Sequence, residues 1–460
     1  LINLERIRIG SNQFTGPIPD EMWNLTNLIY LSLNNNDLTG SISTSIENLG
    51  SLTILDLSSN EFTGPIPAAI GNLTKLLMLE LGFNELNGTI PVEIGHLTDI
   101  VSINLAGNQL NGSIPTEIGN LASLEYLLLY NNQLEGSIPA EVGDLNHCKI
   151  LELEVNQLSG PIPPTIGNMD SLESLRLWSN SLEGSIPSSL GKLSQLTRME
   201  LSRNKLTGTV PDSLNQLKKL TDLYLDSNRL TELPNLSTLP QLIDLQIQEN
   251  QLTFEDIEPN INISNFIYSP QDSVGEELDT TVALGEHLSF SLEVGGTANQ
   301  YQWMKDSTDI MGADSSALIL SSISLSDSGS YICKITNTKV PDLTLYSKPI
   351  HVTVNSGVQV EDKTEIIPKK FALRQNYPNP FNPVTEISYD LPLPVKVKVV
   401  IFNSQGQKVK VLVDKYQPAG SHTVQWNGKS EEGQQSASGV YLGLMQAGDF
   451  KETIKIMLLR

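Results

Sequence analysis

Ten asparagines recur at a constant interval through the first half of this chain. They stand at Asn12, Asn36, Asn60, Asn84, Asn108, Asn132, Asn156, Asn180, Asn204 and Asn228, each 24 residues after the last (36 − 12 = 24). A single globular core does not require such a period, whereas a stack of equivalent coils does. The sequence therefore predicts a solenoid over more than half of its length, and function becomes a question about surfaces.

Each coil repeats the same frame around its asparagine. Leucine-type positions such as Leu127 and Leu129 precede Asn132, and stacked neighbouring coils must bury them because one coil has no second layer. The asparagine amide is expected to satisfy backbone groups of the turn and of the next coil. Gly136 and Pro139, which have counterparts in most coils, predict a backbone bend and exclude a regular helix on the outer side.

The frame L-x-x-L-x-L-x-x-N-x-L, followed by G-x-I-P and by I-G-N-L at 70–73, resembles the 24-residue leucine-rich repeat. This repeat is known from plant receptor kinase ectodomains and from secreted bacterial proteins. The resemblance covers residues 1–262 and implies short parallel strands along a concave face. The last interval shortens (250 − 228 = 22), and residues 254–259 break the frame, which predicts a C-terminal cap. Leu1 aligns with Leu25, so we expect further coils before it.

Charge is distributed unevenly along the 460 residues. Residues 1–262 carry 12 basic and 31 acidic groups (−19), residues 263–355 carry 4 and 11 (−7), and residues 356–460 carry 13 and 10 (+3). An acidic solenoid repels nucleic acid and anionic lipid, which leaves a protein, peptide or glycan as the candidate ligand. Acidity that only maintains solubility is the alternative. The chain contains no apolar run of about 18 residues, so no transmembrane segment is predicted.

Short alternating segments over 270–354 predict a β-sandwich. The motif D-x-G-x-Y-x-C at 327–333 resembles that of immunoglobulin domains, and Trp303 corresponds to their core tryptophan. Leu292 takes the position of the partner cysteine, so the resemblance implies that Cys333 is a buried free thiol. Cys148 occupies a leucine position of its coil and is predicted to be a core residue.

After a polar linker over 355–370, residues 371–460 predict a second small β-sandwich, giving a mainly β chain with a solenoid and two sandwich domains. This last region resembles the C-terminal sorting domain of bacterial type IX secretion cargo. The residues that carry the resemblance are Asn376, Tyr377, Pro378, Asn379, Pro380, Gly439, Tyr441, Lys455 and Arg460. It implies the type IX machinery as a partner and a secreted or cell-surface location in a Gram-negative bacterium. Another passive immunoglobulin-like module is the alternative.

Catalytic signals are sparse in this sequence. None of the five histidines stands at metal-ligand spacing with another His, Cys or carboxylate. There is also no nucleophile elbow or phosphate-binding loop. We therefore predict no catalytic residue, metal site or cofactor, although neighbouring carboxylates such as Glu152 and Glu154 leave an acid pair open.

Side chains between and just after the strand leucines should point to the concave face, because side chains alternate across a strand. Aromatic, apolar and charged residues converge there in the middle coils. The predicted ligand-binding residues are Tyr126, Leu128, Tyr130, Ile150, Glu152, Glu154, Arg176, Trp178, Arg198, Glu200 and Tyr224. Such residues are typical of binding hot spots, but aromatic ladders also stabilise strand surfaces without a ligand. We predict a monomeric recognition protein; a structural surface component and the targeting arm of an enzyme are the alternatives.

Overall fold

The computed structural model describes residues 3–355, 368–431 and 433–459. The chain divides into two compact units, Leu1–Val354 and Asn355–Arg460. Leu1, Arg460 and most of the predicted linker lie outside the described residues. Within the described part of the chain, no helix is long and apolar enough to cross a membrane.

The first sheet consists of twelve parallel strands. They are Arg6–Arg8, Tyr30–Ser32, Ile54–Asp56, Met78–Glu80, Ser102–Asn104, Tyr126–Leu128, Ile150–Glu152, Ser174–Arg176, Arg198–Glu200, Asp222–Tyr224, Asp244–Gln246 and Asn265–Ile267. Neighbouring strands pair in step with the sequence period, so Leu127 lies beside Leu151. The predicted short parallel strands are confirmed, and the sheet continues past residue 262.

A second parallel sheet, with ten strands, is absent from the sequence-based prediction. Its strands are Thr15–Pro17, Asp37–Ser41, Glu61–Pro65, Glu85–Thr89, Gln109–Gly112, Gln133–Ser137, Gln157–Gly160, Ser181–Gly184, Lys205–Thr209 and Arg229–Glu232. Most contain a glycine with a left-handed backbone, such as Gly88 with φ +76°. That conformation breaks the alternation by which a strand is recognised in sequence. The sequence pattern therefore predicts only a bend at these positions. The segments form strands because the stacked coils bring them side by side, where they pair in parallel.

Short 3-10 helices follow the strands of the second sheet. In the described coils they are Asp20–Asn24, Thr44–Asn48, Ala68–Asn72, Val92–His96, Thr116–Asn120, Ala140–Asp144, Pro164–Asn168, Ser188–Lys192 and Asp212–Gln216. Pro67 precedes the third of them with φ −71°, and Pro139 precedes the sixth with φ −69°. The prolines, which are expected to exclude a regular helix, thus stand in an extended conformation directly before a single helical turn.

The repeated asparagines form a hydrogen-bonded ladder. Asn60 Nδ2 donates to the carbonyl oxygens of Leu57 in its own coil and Leu33 in the preceding coil, both at 3.1 Å. Its Oδ1 accepts the backbone N–H of Leu38, also in the preceding coil, at 3.1 Å. The predicted role in satisfying backbone groups is confirmed. The predicted direction is wrong, because the groups within reach belong to the preceding coil and not to the next one.

Stacked leucines fill the interior of the solenoid, and Leu127 and Leu129 are fully buried. The stretch that breaks the repeat frame folds into a short α-helix, Phe254–Ile257, followed by a 3-10 helix, Glu258–Asn260. Phe254 is fully buried in the same core. This helical segment lies where the sequence predicts the cap.

The immunoglobulin-like region follows in the same unit. Its strands are Leu278–Ala283, Leu288–Ser291, Asn299–Lys305, Thr308–Asp309, Ala317–Leu320, Gly329–Asn337, Thr344–Tyr346 and Ile350–Asn355, with a 3-10 helix at Leu325–Asp327. They form one large sheet and one two-stranded sheet, as predicted for a sandwich. The Tyr331 hydroxyl donates to the Asp327 carbonyl at 2.7 Å, which is the tyrosine-corner contact of immunoglobulin-like sandwiches.

Both cysteines are free and buried, which confirms the prediction. Cys333 lies opposite Trp303 in adjacent strands, and both side chains are fully buried. Leu292, in the position of the usual partner cysteine, packs against the same core. Burial raises the pKa of the Cys333 thiol to about 11 and the pKa of the Cys148 thiol to about 12. Both thiols are therefore protonated at neutral pH and poorly nucleophilic.

The second unit has its own core, which includes Phe381, Tyr389, Trp426 and Tyr441. Its strands are Ala372–Leu373, Thr385–Leu391, Val395–Asn403, Lys408–Gln417, Gly420–Trp426, Gly439–Ala447 and Phe450–Leu458. They form a three-stranded and a four-stranded sheet. The sequence pattern predicts this second sandwich but does not indicate the strand Thr385–Leu391.

Candidate ligand-binding surface

The outward side chains of the twelve-stranded sheet form one surface, which we call the strand face. It consists of the first and third residues of each strand and of the residue two positions after the strand. All eleven predicted binding residues lie on it, in the consecutive coils from Tyr126 to Tyr224. Most are partly exposed, whereas Glu154 and Glu200 are buried, with 5% and 8% exposure.

Charged residues of three neighbouring strands meet on this face. The parallel register places Arg176 between Glu152 on one side and Glu200 on the other. Arg176 Nη1 lies 2.9 Å from Glu152 Oε1, and its Nε lies 3.5 Å from Glu200 Oε1. Arg198 Nε donates to the same oxygen of Glu200. The two arginines and two glutamates thus form one ion-pair network, in which Glu200 is shared.

Glu154 stands beside this network and makes no ion pair within it. Its Oε2 is buried and has no hydrogen-bond partner, as is also true of Ser174 Oγ, Arg176 Nε and Gln248 Oε1. Arg176 Nε makes the 3.5 Å charge contact with Glu200, but that contact does not have hydrogen-bond geometry. Burial, with a smaller contribution from Glu152, raises the pKa of Glu154 to about 7. Buried polar atoms without partners are rare in native proteins and call for an explanation.

Tyr224 forms the C-terminal end of the predicted set. The Arg198 guanidinium carbon lies 5.3 Å from its ring centroid, within cation–π range. The Tyr224 hydroxyl donates to Asp244 Oδ2 at 3.1 Å. Burial and the nearby Asp244 and Asp222 carboxylates raise the pKa of Tyr224 to about 12. This tyrosine is already held by contacts within the protein.

Phe83 lies beside the predicted set, although the sequence pattern does not single it out. Its side chain is 49% exposed, and its ring makes an edge contact with Tyr130 at a centroid distance of 6.2 Å. Gly107 makes room for this ring: its φ is +64°, and a Cβ there would lie 2.8 Å from the Phe83 ring. One feature of the sequence could have indicated Phe83. It stands directly before one of the repeated asparagines, at the position that Ser59 and Asn131 occupy in other coils.

The residues of the proposed sorting motif lie together in the second unit. Asn379 Nδ2 donates to the Lys455 carbonyl at 2.9 Å, and Asn379 Oδ1 accepts the Met457 N–H at 2.7 Å. Asn376 is 2% exposed and donates to the Pro378 carbonyl at 3.0 Å. These contacts tie the proline-rich segment to the last strand.

The remaining motif residues have different environments. The Tyr441 hydroxyl donates to the Ala437 carbonyl at 2.7 Å, and Tyr441 follows Gly439 in the strand Gly439–Ala447. Pro380 lies between Asn379 and a buried phenylalanine. Tyr377 is 83% exposed, so its ring is accessible for contact with another molecule.

Comparisons with known families agree with this geometry. Residues 102–265 match the family described as a leucine-rich repeat region, and residues 2–62 and 50–110 match the leucine rich repeat family. The coils of the first unit are a leucine-rich repeat solenoid. Residues 272–337 match the immunoglobulin domain family, and residues 381–449 match the FlgD Ig-like domain family. No curated protein gives a significant match.

Several solved structures resemble this solenoid. A TDR receptor is 30% identical over 60% of this chain, with a TM-score of 0.55. The PEPR1-AtPEP1 structure is 32% identical over 61%, with a TM-score of 0.53. The Arabidopsis receptor kinase HAESA, solved with the peptide hormone IDA and the co-receptor SERK1, is 30% identical over 59%, with a TM-score of 0.54. The present chain covers 48%, 43% and 50% of those three chains, which is half of their length or less.

Proposed function

We propose that the leucine-rich repeat solenoid is a non-catalytic recognition domain that binds a peptide on its strand face. The observation that carries this proposal is the group of buried polar atoms without partners at Glu154, Ser174 and Arg176. Partly exposed Tyr130 and Trp178 stand in the coils on either side of Glu154. Side chains that turn toward a bound ligand would gain the hydrogen bonds that they lack in the free protein. Tyr, Trp and Arg are also the residues that dominate binding hot spots.

Similarity to receptors supports a peptide as the ligand. One of the similar structures, HAESA, is described in complex with a peptide hormone, and its match covers 59% of the present chain. The two immunoglobulin-like matches, 272–337 and 381–449, lie outside the strands that define the strand face. Recognition by a repeat array without catalysis is consistent with both observations.

Selection from a random peptide library on the immobilised full chain tests the proposal. Peptides that bind should lose about 10- to 100-fold in affinity when Tyr130 or Trp178 is replaced by alanine, because each change removes a central aromatic contact. The matched control is Tyr416→Ala, which removes an exposed tyrosine from the second unit and should leave affinity unchanged. Affinities are measured by calorimetry on the purified variants.

The principal alternative is a structural surface component with no specific ligand. The Phe83–Tyr130 contact and the ion pairs of the arginine–glutamate network favour it, because these rings contact each other and these charges are paired within the protein. A library that yields no binder sensitive to Tyr130→Ala or Trp178→Ala would support this alternative and would contradict peptide recognition on the strand face.

We further propose that residues 371–460 are an export signal read by the type IX secretion machinery, which would place the protein at the surface of a Gram-negative bacterium or outside it. The motif residues support this by forming an anchored segment with one exposed tyrosine, Tyr377. The match to the FlgD Ig-like domain family describes the same region as an immunoglobulin-like module. An immunoglobulin-like fold is compatible with either role, so an experiment must distinguish them.

Deletion of residues 371–460 in a host with type IX secretion should leave the protein in the periplasm. Protease accessibility on intact cells measures surface exposure, and the full chain in a host without the machinery is the control. The retained protein should still bind the selected peptides, because the solenoid belongs to the other compact unit. Unchanged surface exposure after the deletion would show that this region is only a passive module.

A further inference from the structure

The strand face carries an excess of negative charge in its C-terminal half. From Ile150 to Gln248 its acidic residues are Glu152, Glu154, Glu200, Asp222, Asp226 and Asp244, and its basic residues are Arg176 and Arg198. Both arginines are already paired with glutamates. Two positive and six negative groups leave a formal charge of −4 (2 − 6 = −4) on this part of the face. An incoming anion would meet carboxylates and, within this described stretch of the face, no uncommitted cation.

Most of these carboxylates already have partners. Asp226 accepts hydrogen bonds from Ser202 and Ser227, and Asp244 accepts the Tyr224 hydroxyl. Glu154 differs from them, because its Oε2 is buried without a partner. Gln248 Oε1 also lacks a partner, but it is a neutral amide oxygen and a weaker acceptor than a carboxylate. Glu154 therefore has the largest unmet capacity to accept a hydrogen bond on this part of the face.

Two aromatic residues flank Glu154 at equivalent positions of the neighbouring coils. Backbone hydrogen bonds link the coils at this point, from Asn131 N–H to the Glu154 carbonyl at 2.9 Å and from Val155 N–H to the Trp178 carbonyl at 3.0 Å. Tyr130 thus lies in the coil before Glu154 and Trp178 in the coil after it, both at the same point of the repeat. A carboxylate between aromatic side chains suits an ammonium or guanidinium group, which pairs with the charge and packs on the rings.

We propose that Glu154 anchors a lysine or arginine side chain of the bound peptide between Tyr130 and Trp178. This inference rests on the proposed peptide recognition and names the class of residue that the peptide must present. Rotation of the Glu154 side chain would expose the carboxylate Oε2, which would then accept an N–H of the cation. The flanking rings would cover the aliphatic stem of the cationic side chain. A neutral donor would satisfy the oxygen but would not offset the excess negative charge of this face.

Binding at this position should depend on pH. The groups that act on Glu154 are Tyr130 from the preceding coil, Glu152 from its own strand, and Arg176 and Glu200 from the following strands. Burial is the main reason why the pKa of Glu154 is raised to about 7. A cation favours the ionised carboxylate, so binding releases a proton, and affinity should fall as pH decreases below about 7. Because one proton is released, the affinity should fall by at most about tenfold for each pH unit below this pKa.

Hexalysine, hexaarginine and hexaglutamate are suitable probes for the full chain. Trp178 reports on the site by fluorescence, because the other tryptophans, Trp23, Trp303 and Trp426, are at most 1% exposed. Hexalysine and hexaarginine should change this signal, and hexaglutamate should not. At pH 8, Glu154→Gln should weaken binding of the cationic probes at least about tenfold and should remove the pH dependence between pH 6 and 8.

Glu80→Gln is the matched control for general attraction between basic peptides and an acidic protein. Glu80 lies on the same face three coils away, and its Oε1 already accepts a hydrogen bond from Ser102 at 2.9 Å. The control substitution removes the same formal charge as Glu154→Gln, but it should change affinity less than about twofold at pH 8. Equal effects of the two substitutions, or binding of hexaglutamate, would overturn the inference.

The library peptides separate this inference from the broader proposal. If Trp178→Ala weakens their binding but Glu154→Gln does not, peptide recognition on the strand face stands and the cation anchor is wrong. If neither substitution has an effect, recognition on this face is wrong as well. Selected peptides that are enriched in lysine or arginine, and that bind less tightly to Glu154→Gln, would support both peptide recognition on the strand face and the cation anchor.

Discussion

Replacing Asn108 by alanine is expected to destabilise the solenoid by about 3 to 5 kcal/mol. Asn108 Nδ2 donates to the carbonyl oxygens of Leu81 and Leu105, at 3.1 and 3.0 Å, and its Oδ1 accepts the Leu86 N–H at 3.0 Å. Alanine leaves these backbone groups buried without the side-chain partner. Urea denaturation gives the loss of stability, and hydrogen exchange of the Leu86 amide shows where it occurs.

Asn111→Ala provides the control for this prediction. Asn111 lies in the same coil, three residues later, but its side chain is exposed on the second sheet. We expect its replacement to change stability by less than about 0.5 kcal/mol. If the two alanine variants unfold at the same urea concentration, the asparagine hydrogen bonds do not contribute to stability as their geometry indicates.

Replacing Gly71 by alanine is expected to destabilise the solenoid by about 3 kcal/mol. Gly71 lies in the 3-10 helix Ala68–Asn72, and a Cβ on it would be 2.3 Å from the carbonyl oxygen of Glu93 in the next coil. The obstructing atom is backbone, so relief requires the two coils to separate. The urea midpoint and faster hydrogen exchange over residues 68–96 measure this effect.

Gly50→Ala tests whether the effect comes from this close approach. Gly50 lies one coil earlier, and a Cβ at that position would have no other atom within 4 Å. Its replacement should therefore be neutral or slightly stabilising, since alanine reduces the conformational freedom of the unfolded chain. A similar loss of stability in both variants would argue against crowding between coils.

Several features of the fold were predictable because they depend on local pattern. The leucine positions around Leu127 must be buried, and a regular period allows only stacked coils to bury them. The same reasoning applies to Trp303 and Cys333, which the immunoglobulin-like pattern assigns to one core and which lie opposite each other. The second sheet was not predictable in this way, because glycines such as Gly88 interrupt its strands and its hydrogen bonds come only from other coils.

The candidate site also has features that the sequence predicts and features that it does not. The period placed Tyr130, Glu154 and Trp178 on one face, because residues 24 positions apart occupy equivalent points of neighbouring coils. It did not distinguish Glu154 from Glu152, which is paired with Arg176 at 2.9 Å. It also showed no sign of the Phe83 ring lying against Tyr130 from two coils away.

The period and the motifs were sufficient to predict the solenoid, the face on which its variable residues lie, the burial of Cys148 and the unpaired state of Cys333. Each of these follows from a repeat interval or from a residue's place within a motif. Which carboxylates are paired, and which one, Glu154, has a buried oxygen without a partner, became visible only in the folded chain. The reason is physical: ion pairing and burial depend on how side chains from separate coils approach one another, and no local pattern records those distances.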